Sequence, residues 1–520
     1  MPDFPVVIAG GGTVGLATAV FLGHHGIPSL VVERRPAPSV HPRALGLSPR
    51  TLEFFREVGL GERLADVAVR SADLGRAEAR TVAEIDRSEG AGAPAPAAPF
   101  PASPVIPLGH YPQDRIDSVL LPAARERGAT VAFGTEVTAV EQDADQVRVA
   151  LSDGRTVSAG YLVGADGVNS AVRGMLGIGT TGPGVIGETT LNILFTADLV
   201  GHFGSMPTMT QIGHPDVRGV LLAVGERRWV LHTRPRSEGT PSEEDCLAAV
   251  RTALGTADVP VEILSVLPWR ATVRMADRFR AGRAFLVGDA ARAVSPLGAF
   301  GLNTGMADAH NLAWKLAMVL NGQAADRLLE SYHDERHAVA ELVTRQALLR
   351  WENPRLHWDP AAVAERRAVG GWNAPMVTMG YRYDSSAVLD PVVDVPSTED
   401  VAASLDGAPG SRLPHHWLSG PGGSRVSTLD LPASRFAVLA GPAGDAWCEA
   451  ARKAAAARGM DLRTARLNAA IAAALRLADT DALLVRPDGF IAWRSPATPA
   501  DPALLEEALT AITGVAAKPA

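Results

Sequence analysis

The stretch Phe4-Pro5-Val6-Val7-Ile8-Ala9-Gly10-Gly11-Gly12-Thr13-Val14-Gly15 runs from an apolar β-like segment through a glycine turn into a helical pattern that continues to His25. A second apolar run, Leu30 to Glu33, ends on an acid, and Pro49 to Val58 is again helical. Strand, helix, strand, helix in this order predicts a parallel sheet. Gly10, Gly12 and Gly15 satisfy the spacing G-x-G-x-x-G. With 51 glycines among 520 residues, that spacing arises by chance about 0.5 times in such a chain. It recurs at Gly177/Gly179/Gly182 and at Gly182/Gly184/Gly187, where no clear strand precedes it and no amphipathic helix follows. Only the first copy is therefore read as functional. There the glycines let backbone approach a pyrophosphate, the helix start supplies positive potential, and Glu33 stands where an acid can accept ribose hydroxyls.

Working outward, a chain of 520 residues exceeds one ordinary core and predicts several domains. No apolar run approaches the roughly 18 residues that cross a bilayer. The N-terminus has neither a basic region nor a small-residue cleavage site, so a cytoplasmic location is expected. The net charge of −8 is spread without a basic run, which argues against nucleic acid and for a small-molecule partner. Cys246 and Cys448 share no metal-ligand or CxxC spacing, so metal sites and dithiol chemistry are not expected. The scattered histidines, including His24-His25 and His415-His416, form no persuasive ligand set or catalytic triad.

Residues 88–107, rich in Pro, Ala and Gly, read as a long surface loop. A helix over Arg115–Arg127, β runs at Thr130–Val140 and Gln146–Leu151, and a turn at Ser152-Asp153-Gly154 suggest a β-meander inserted in the α/β unit. Residues 185–275 carry apolar, β-branched runs (Thr189–Ala197, Val220–Val224, Trp229–His232) around one helix, Ser242–Leu254, and predict a separate sheet. Strand Ala284–Val287, helix Asn303–Leu320 and a charged helix Asp326–Arg350 follow. After Pro391, Phe436–Leu439, Trp447–Arg458, Ala482–Val485 and Phe490–Trp493 predict a small βαββ-like unit.

Three further segments carry a resemblance. They are Ala165-Asp166-Gly167-Val168-Asn169-Ser170-Ala171-Val172-Arg173, Gly282-Arg283-Ala284-Phe285-Leu286-Val287-Gly288-Asp289-Ala290-Ala291, and Gly301-Leu302-Asn303-Thr304-Gly305 with the helix beyond it. Together with the glycine turn they resemble the class A FAD-dependent aromatic hydroxylases, over residues 1 to about 350. Asn373 to Tyr383 and Gly410 to Leu418 resemble the branch that acts on aromatic polyketides and ends in a thioredoxin-like domain. The fold class so implied is α/β: a Rossmann-type FAD-binding domain, an inserted β-sheet substrate domain and a thioredoxin-like C-terminal domain. The expected boundaries are 1–180, 181–275, 276–390 (the second part of the FAD-binding domain, with long helices) and 391–520. Lacking CxxC, the last unit is expected to serve packing or homodimer contacts.

The resemblance implies FAD as cofactor and NADPH or NADH as co-substrate, with oxygen transferred from a C4a-hydroperoxyflavin to an electron-rich ring. It assigns Gly10, Gly12, Thr13, Val14, Gly15 and Glu33 to the ADP half of FAD, Arg43 and Gln113 to its phosphates and its adenosine or ribityl side, with solvated surface roles as the plainer alternative, and Arg34 and Val137 to FAD binding. It gives Asp166, Gly167 and Arg173 to FAD and nicotinamide handling, with a structural Asp166–Arg173 ion pair as the plainer alternative. Asp289 would meet the ribityl chain, the helix-start amides of Gly301, Leu302 and Asn303 would stabilise negative charge on the flavin ring, and Gly288, Pro296 and Gly298 are assigned to FAD binding. No acid or base is assigned, since the cofactor carries the chemistry. Arg292 stands where many relatives place His and is expected to keep positive potential near the flavin; Ser295-Pro296 replaces a usual Pro-Pro. Substrate-lining positions are expected among Asn192–Ala197, Met209–Gly213, Val220–Ala223 and Pro296–Phe300. Competing functions are Baeyer–Villiger oxygenation of a ketone in the same fold and a flavin-free binding protein on this scaffold; a halogenase is disfavoured because no Trp-x-Trp-x-Ile-Pro segment occurs.

Overall fold

A computed structural model describes residues 2–69, 74–87, 100–235, 241–496 and 501–516. In chain order its first strands are β1 (Phe4–Ala9), β2 (Ser29–Glu33), β3 (Leu74–Ala79), β4 (Ala129–Phe133), β5 (Val137–Gln142), β6 (Val147–Leu151) and β7 (Thr156–Gly164). Next come β8 (Thr180–Thr196), β9 (Pro207–His214), β10 (Val217–Ala223), β11 (Arg228–Thr233), β12 (Glu262–Ala276), β13 (Arg280–Ala281), β14 (Ala284–Leu286) and β15 (Arg292–Ala293). The C-terminal part holds β16 (Trp417–Ser419), β17 (Arg425–Ser427), β18 (Phe436–Ala440), β19 (Leu462–Arg466), β20 (Ala482–Val485) and β21 (Ile491–Arg494).

The first sheet has the order β13-β14-β7-β1-β2-β4, with β5 and β6 joining through β7. Its centre, β7-β1-β2-β4, is parallel, as the opening alternation predicts. Every residue of β2 is buried, which suits a strand covered on both faces. The helix Thr13–His24 is apolar nearly all round because it too is covered twice, by the Gln113–Glu126 and Phe300–Leu320 helices. Thr130–Val140, read as one β run, is two strands in different parts of this sheet. Gly134, at φ +68°, breaks it and sends β5 into the β5-β6-β7 meander.

The second sheet has the order β15-β12-β8-β11-β10-β9-β3. It draws β3 and β15 from outside residues 181–275, so its two edges are tied to the nucleotide-binding half of the chain. Leu191, Ile193 and Phe195 on one face pack against Cys246, Val250 and Leu254 of the Glu243–Leu254 helix. That helix starts with a Ser242–Asp245 capping box and stops at Gly255, φ +77°. Gly182, Gly184 and Gly187, the repeated glycine spacing, lie within β8.

The C-terminal sheet has the order β19-β18-β20-β21, with β18 and β19 parallel and β20 and β21 antiparallel. With the Asp445–Arg458 and Pro502–Thr513 helices this is the thioredoxin-like arrangement. Phe490 of this unit stacks on Tyr383 at 4.1 Å between ring centroids, and Arg412 pairs with Glu53 of the Pro49–Glu57 helix. Of the segment read as a surface loop, residues 88–99 lie outside the described residues. Its continuation corrects that reading, because Ala102 and Ser103 are buried and the Ala102 carbonyl accepts from Arg412.

Candidate functional site

The glycine turn explains itself atom by atom. Gly10 has φ +107°, and a methyl on it would sit 2.4 Å from the Ala165 carbonyl oxygen. A methyl on Gly15 would sit 1.9 Å from the Gly10 carbonyl oxygen, so this residue sets how closely the helix packs on the turn. Gly12 is different: a methyl there meets only Arg35 Nη2, at 3.9 Å. Its side of the turn is open, and the helix it caps has no side-chain cap and no acid in its first turn. Uncapped amides beside an open glycine are what a pyrophosphate requires. Glu33 closes β2 with Oε2 accepting from the Gly11 amide at 2.8 Å and Oε1 accepting from Arg35 Nε at 2.8 Å.

Around this turn, Arg34 and Arg43 are exposed and have no ion-pair partner among the described residues. Although Arg43 reaches solvent, the protein around its guanidinium partly desolvates it and, with the charge of Arg35, holds it below its usual range, while Asp289 and Glu33 oppose that shift. Gln113 begins its helix with its amide on the Ala44 carbonyl at 3.0 Å, which fixes the Arg43 segment against the helix. Val137, by contrast, is a buried core residue at the start of β5. The structure adds one group that the sequence reading missed. Asp117, one helical turn beyond Gln113, is 4% exposed, and burial pushes its carboxyl up to about 7, an effect the Thr13 hydroxyl and Arg35 only partly offset. An acid within the otherwise apolar face Ile116, Val119 and Leu120 is the signal that could have found it.

Because the folded form favours protonated Asp117, its contribution to stability is complete below the ordinary 3.8 and lost as pH rises through about 7. Asp117→Asn should therefore leave stability near wild type at about pH 4 and raise it above wild type at about pH 8, by up to roughly 4 kcal/mol. Urea unfolding of the apoprotein at both pH values checks this; equal midpoints at the higher pH would contradict it.

A second group assembles where β14 ends. Asp289 lies on the turn Gly288–Ala290, accessible to solvent yet surrounded by protein, as befits a side chain lining a deep cleft. Burial raises its carboxyl, with Arg292 and Arg43 pulling it down. A methyl on Gly301 would come within 4.0 Å of Asp289 Oδ1, so the carboxyl stands close to the start of the Phe300–Leu320 helix. A methyl on Gly288 would press on Val14 at 3.1 Å, which draws the two glycine segments together. The approach to the helix is strained: Gly298 has φ +103°, and Ala299, a non-glycine residue, is left-handed at φ +54°. Pro296 is exposed on this loop, and its carbonyl accepts from the Ala299 amide at 3.0 Å. Leu302 packs against the main core.

One expected alternative falls. Asp166 and Arg173 do not pair. Asp166 accepts from Ser170 and the Val172 amide, while Arg173 donates to the carbonyls of Ala290 and Val168 and so braces the Asp289 turn beside Gly167, φ +83°. Arg292 is paired with Asp308 at 2.8 Å with both side chains fully buried, and because the same carboxyl also pairs with Arg336 at 2.8 Å the cluster keeps a net positive charge near Asp289. Asn303 uses its side chain as a latch: Oδ1 accepts from the Ser48 amide and Thr51, and Nδ2 donates to Gly46 and Ala299.

The sheet face opposite the Glu243–Leu254 helix completes the site. Cross-strand pairing puts Met209, Leu222, Val230, Leu194 and Ser265 in one row, and Gln211, Val220, His232, Asn192 and Leu267 in the next. Leu45, from the Arg43 segment, packs on Leu194 and Val230. Strand alternation sends Ile193, Phe195, Ala197, Ile212, Leu221 and Ala223 of the expected lining to the other face, into the helix-covered core. Among the described residues no group of acids, histidines and cysteines could hold a metal ion, and no helix is long and apolar enough to cross a membrane. Cys246 and Cys448 are buried free thiols.

An open glycine turn against an uncapped helix, an acid at the end of β2, unpaired arginines and a second helix start beside a cleft-lining carboxyl together fit a bound FAD. Comparison with known proteins agrees. Residues 3–347 match the FAD binding domain family, and residues 406–516 match the aromatic-ring hydroxylase C-terminal domain. Tetracenomycin B2 monooxygenase-dioxygenase of Streptomyces olivaceus is 38% identical, with 98% of each chain covered. The 4-methyl-5-nitrocatechol 5-monooxygenase of a Burkholderia species is also 38% identical, covering 98% of this chain and 97% of its own. A crystal structure of aklavinone-11 hydroxylase in ternary complex with FAD and aklavinone superposes with a TM-score of 0.86 at 34% identity, covering 99% of this chain and 100% of that one. The chain belongs to the FAD-binding aromatic-ring hydroxylases, and it is a flavoprotein monooxygenase.

Proposed function

We propose that this monooxygenase uses NADPH or NADH and O₂ to hydroxylate a polycyclic aromatic polyketide during antibiotic assembly. The single observation that carries the substrate class is the match along the whole chain to a hydroxylase whose structure holds aklavinone. Sequence relatives named for tetracenomycin and aklavinone support it. In this reading Gly10, Gly12, Thr13, Val14 and Gly15 hold the pyrophosphate of FAD, Glu33 its ribose, and Arg34, Arg43 and Gln113 the ADP half. Asp289 takes the ribityl hydroxyls, and the amides of Gly301, Leu302 and Asn303 face the ring. Bound FAD supplies the two-electron chemistry that activates O₂. What the protein's own residues contribute is orientation and dryness. Arg173 and the Asn303 latch hold the Asp289 turn and the helix start in place, while Leu45, Leu194, Leu222 and Val230 form an apolar wall that excludes water from the reacting ring. No second nicotinamide-binding fold occurs among the described residues, so the reductant docks across the FAD domain. Two free thiols fit the reducing cytoplasm.

The equally similar nitrocatechol monooxygenase supports a second reading, a single-ring phenol. Stopped-flow absorbance of the FAD-loaded protein with NADPH separates the two. The expected result is that a tetracyclic phenol accelerates flavin reduction at least tenfold while nitrocatechols do not. Acceleration by nitrocatechols alone would replace the proposal with the second reading, and a lactone product would make the reaction a Baeyer–Villiger oxygenation.

A further inference from the structure

His232 stands on β11 in the cleft-facing row, between Val220 of β10 and Asn192 of β8. Val230, two residues earlier on the same face, belongs to the small apolar cluster on which Leu45 packs, and the residue after Leu45, Gly46, is latched by Asn303 to the Phe300–Leu320 helix. His232 therefore lies one side-chain row, roughly 7 Å, from the contact that ties this sheet to the flavin end of the cleft. Two neighbouring polar groups on the wall are occupied, and Gln211, at the far end of the row, is exposed. Asn192 Oδ1 accepts from Trp269 Nε1 at 2.7 Å, and Ser265 bonds the ring of His41 at 3.2 Å. His232 is only half-buried and has no hydrogen-bond partner among the described residues. A histidine placed for packing is ordinarily satisfied by a neighbour; this one presents ring nitrogens to open space from an apolar wall.

We propose that His232 is a substrate-binding residue that accepts a hydrogen bond from a phenolic hydroxyl of the ring system being oxygenated. The proposal rests on the aromatic substrate read above and adds the atom that orients it. Burial, with the charge of His41 acting in the same direction, pushes the imidazole down to about 4, so it is neutral at pH 7. A phenol loses its proton near pH 10, about six decades away, so His232 holds the hydroxyl without taking its proton. One such bond at the far end of a planar ring system fixes which edge of that system faces the flavin end of the cleft.

Calorimetric titration of the FAD-loaded protein with a dihydroxyanthraquinone and with its dimethyl ether tests this. The wild type is expected to bind the phenol roughly tenfold more tightly than the ether. In His232→Leu that preference disappears while ether affinity and FAD content stay unchanged, and His232→Gln, which keeps an acceptor, retains part of it. Should His232→Leu lose FAD or fold poorly, the comparison of His232→Gln with wild type decides, since a preference left at full strength there counts against the imidazole. A preference that survives in His232→Leu overturns the role of His232 and leaves the substrate reading intact. A wild type that binds neither compound overturns the polycyclic reading and this proposal together.

Discussion

Glu335→Ala is expected to lower the unfolding free energy by about 3–5 kcal/mol, the cost of removing one partner from a buried ion network. Glu335 lies on the Glu330–Glu352 helix with no side-chain exposure. It accepts from Lys315 at 2.8 Å and from Asn311 at 2.7 Å, both on the Phe300–Leu320 helix, and from Ser385. Both terminal nitrogens of Arg486, in the turn between β20 and β21, donate to it as well. Deleting the carboxylate leaves the Lys315 ammonium buried without its counter-ion, while Arg486 keeps Asp488. The network joins the C-terminal unit to the helix that starts beside Asp289, the end proposed to meet the flavin, so the variant should also retain less FAD. The paired cations hold the Glu335 carboxyl well below its usual range, so its stabilisation is present at neutral pH and is lost in strong acid. Denaturant midpoints at pH 7 for wild type, Glu335→Ala and Arg486→Met measure the effect. A shift under about 1 kcal/mol would mean that the domains are held by apolar contacts such as Phe490 on Tyr383 and that the ions are incidental.

Gly12→Ala and Gly10→Ala should fail in different ways. Gly12, at φ −77°, leaves room for a methyl, so the apoprotein should unfold within about 0.5 kcal/mol of wild type. The methyl would occupy the open face of the turn, and FAD affinity is expected to fall about a hundredfold or more. At Gly10 the same methyl meets the Ala165 carbonyl and requires a left-handed backbone, so the β1–β7 junction itself should be disrupted, at a cost of about 3 kcal/mol or more. Flavin absorbance and thermal unfolding, measured on both variants, separate the two effects. Normal flavin content in Gly12→Ala would remove the pyrophosphate from this turn.

How much of this was legible beforehand depended on how local the cause was. The β1 turn could be read because its glycine spacing stands between an apolar strand and a helix with Glu33 closing the next strand, and the Asp289 and Gly301 segments because they resemble those of the aromatic hydroxylases. The second sheet was only partly visible. β12 contains Pro268 and several charged residues and does not alternate cleanly, and β3, Leu-Gly-Arg-Ala-Glu-Ala, has little β character. Both are strands because long-range partners make them so, β8 for the first and β9 for the second. Charge partners were equally hidden. Nothing near Arg292 in the sequence shows that Asp308, sixteen residues on and shared with Arg336, would pair with it. The unpaired state of Asp166 and Arg173 likewise follows from carbonyls and hydroxyls whose positions only the folded chain provides. For His232, the run Trp229 to His232 read as a strand, but the cleft-facing row exists only once β8, β10 and β11 are in register.

The most direct measurement is incubation of the FAD-loaded protein with NADPH, isotopically labelled dioxygen and a polycyclic phenol, followed by mass spectrometry of the product. One labelled oxygen on the aromatic product, with one nicotinamide oxidised per oxygen inserted, is the predicted result. Nicotinamide oxidation that returns all the dioxygen as hydrogen peroxide with every aromatic offered, or a purified protein that takes up no FAD, would contradict it.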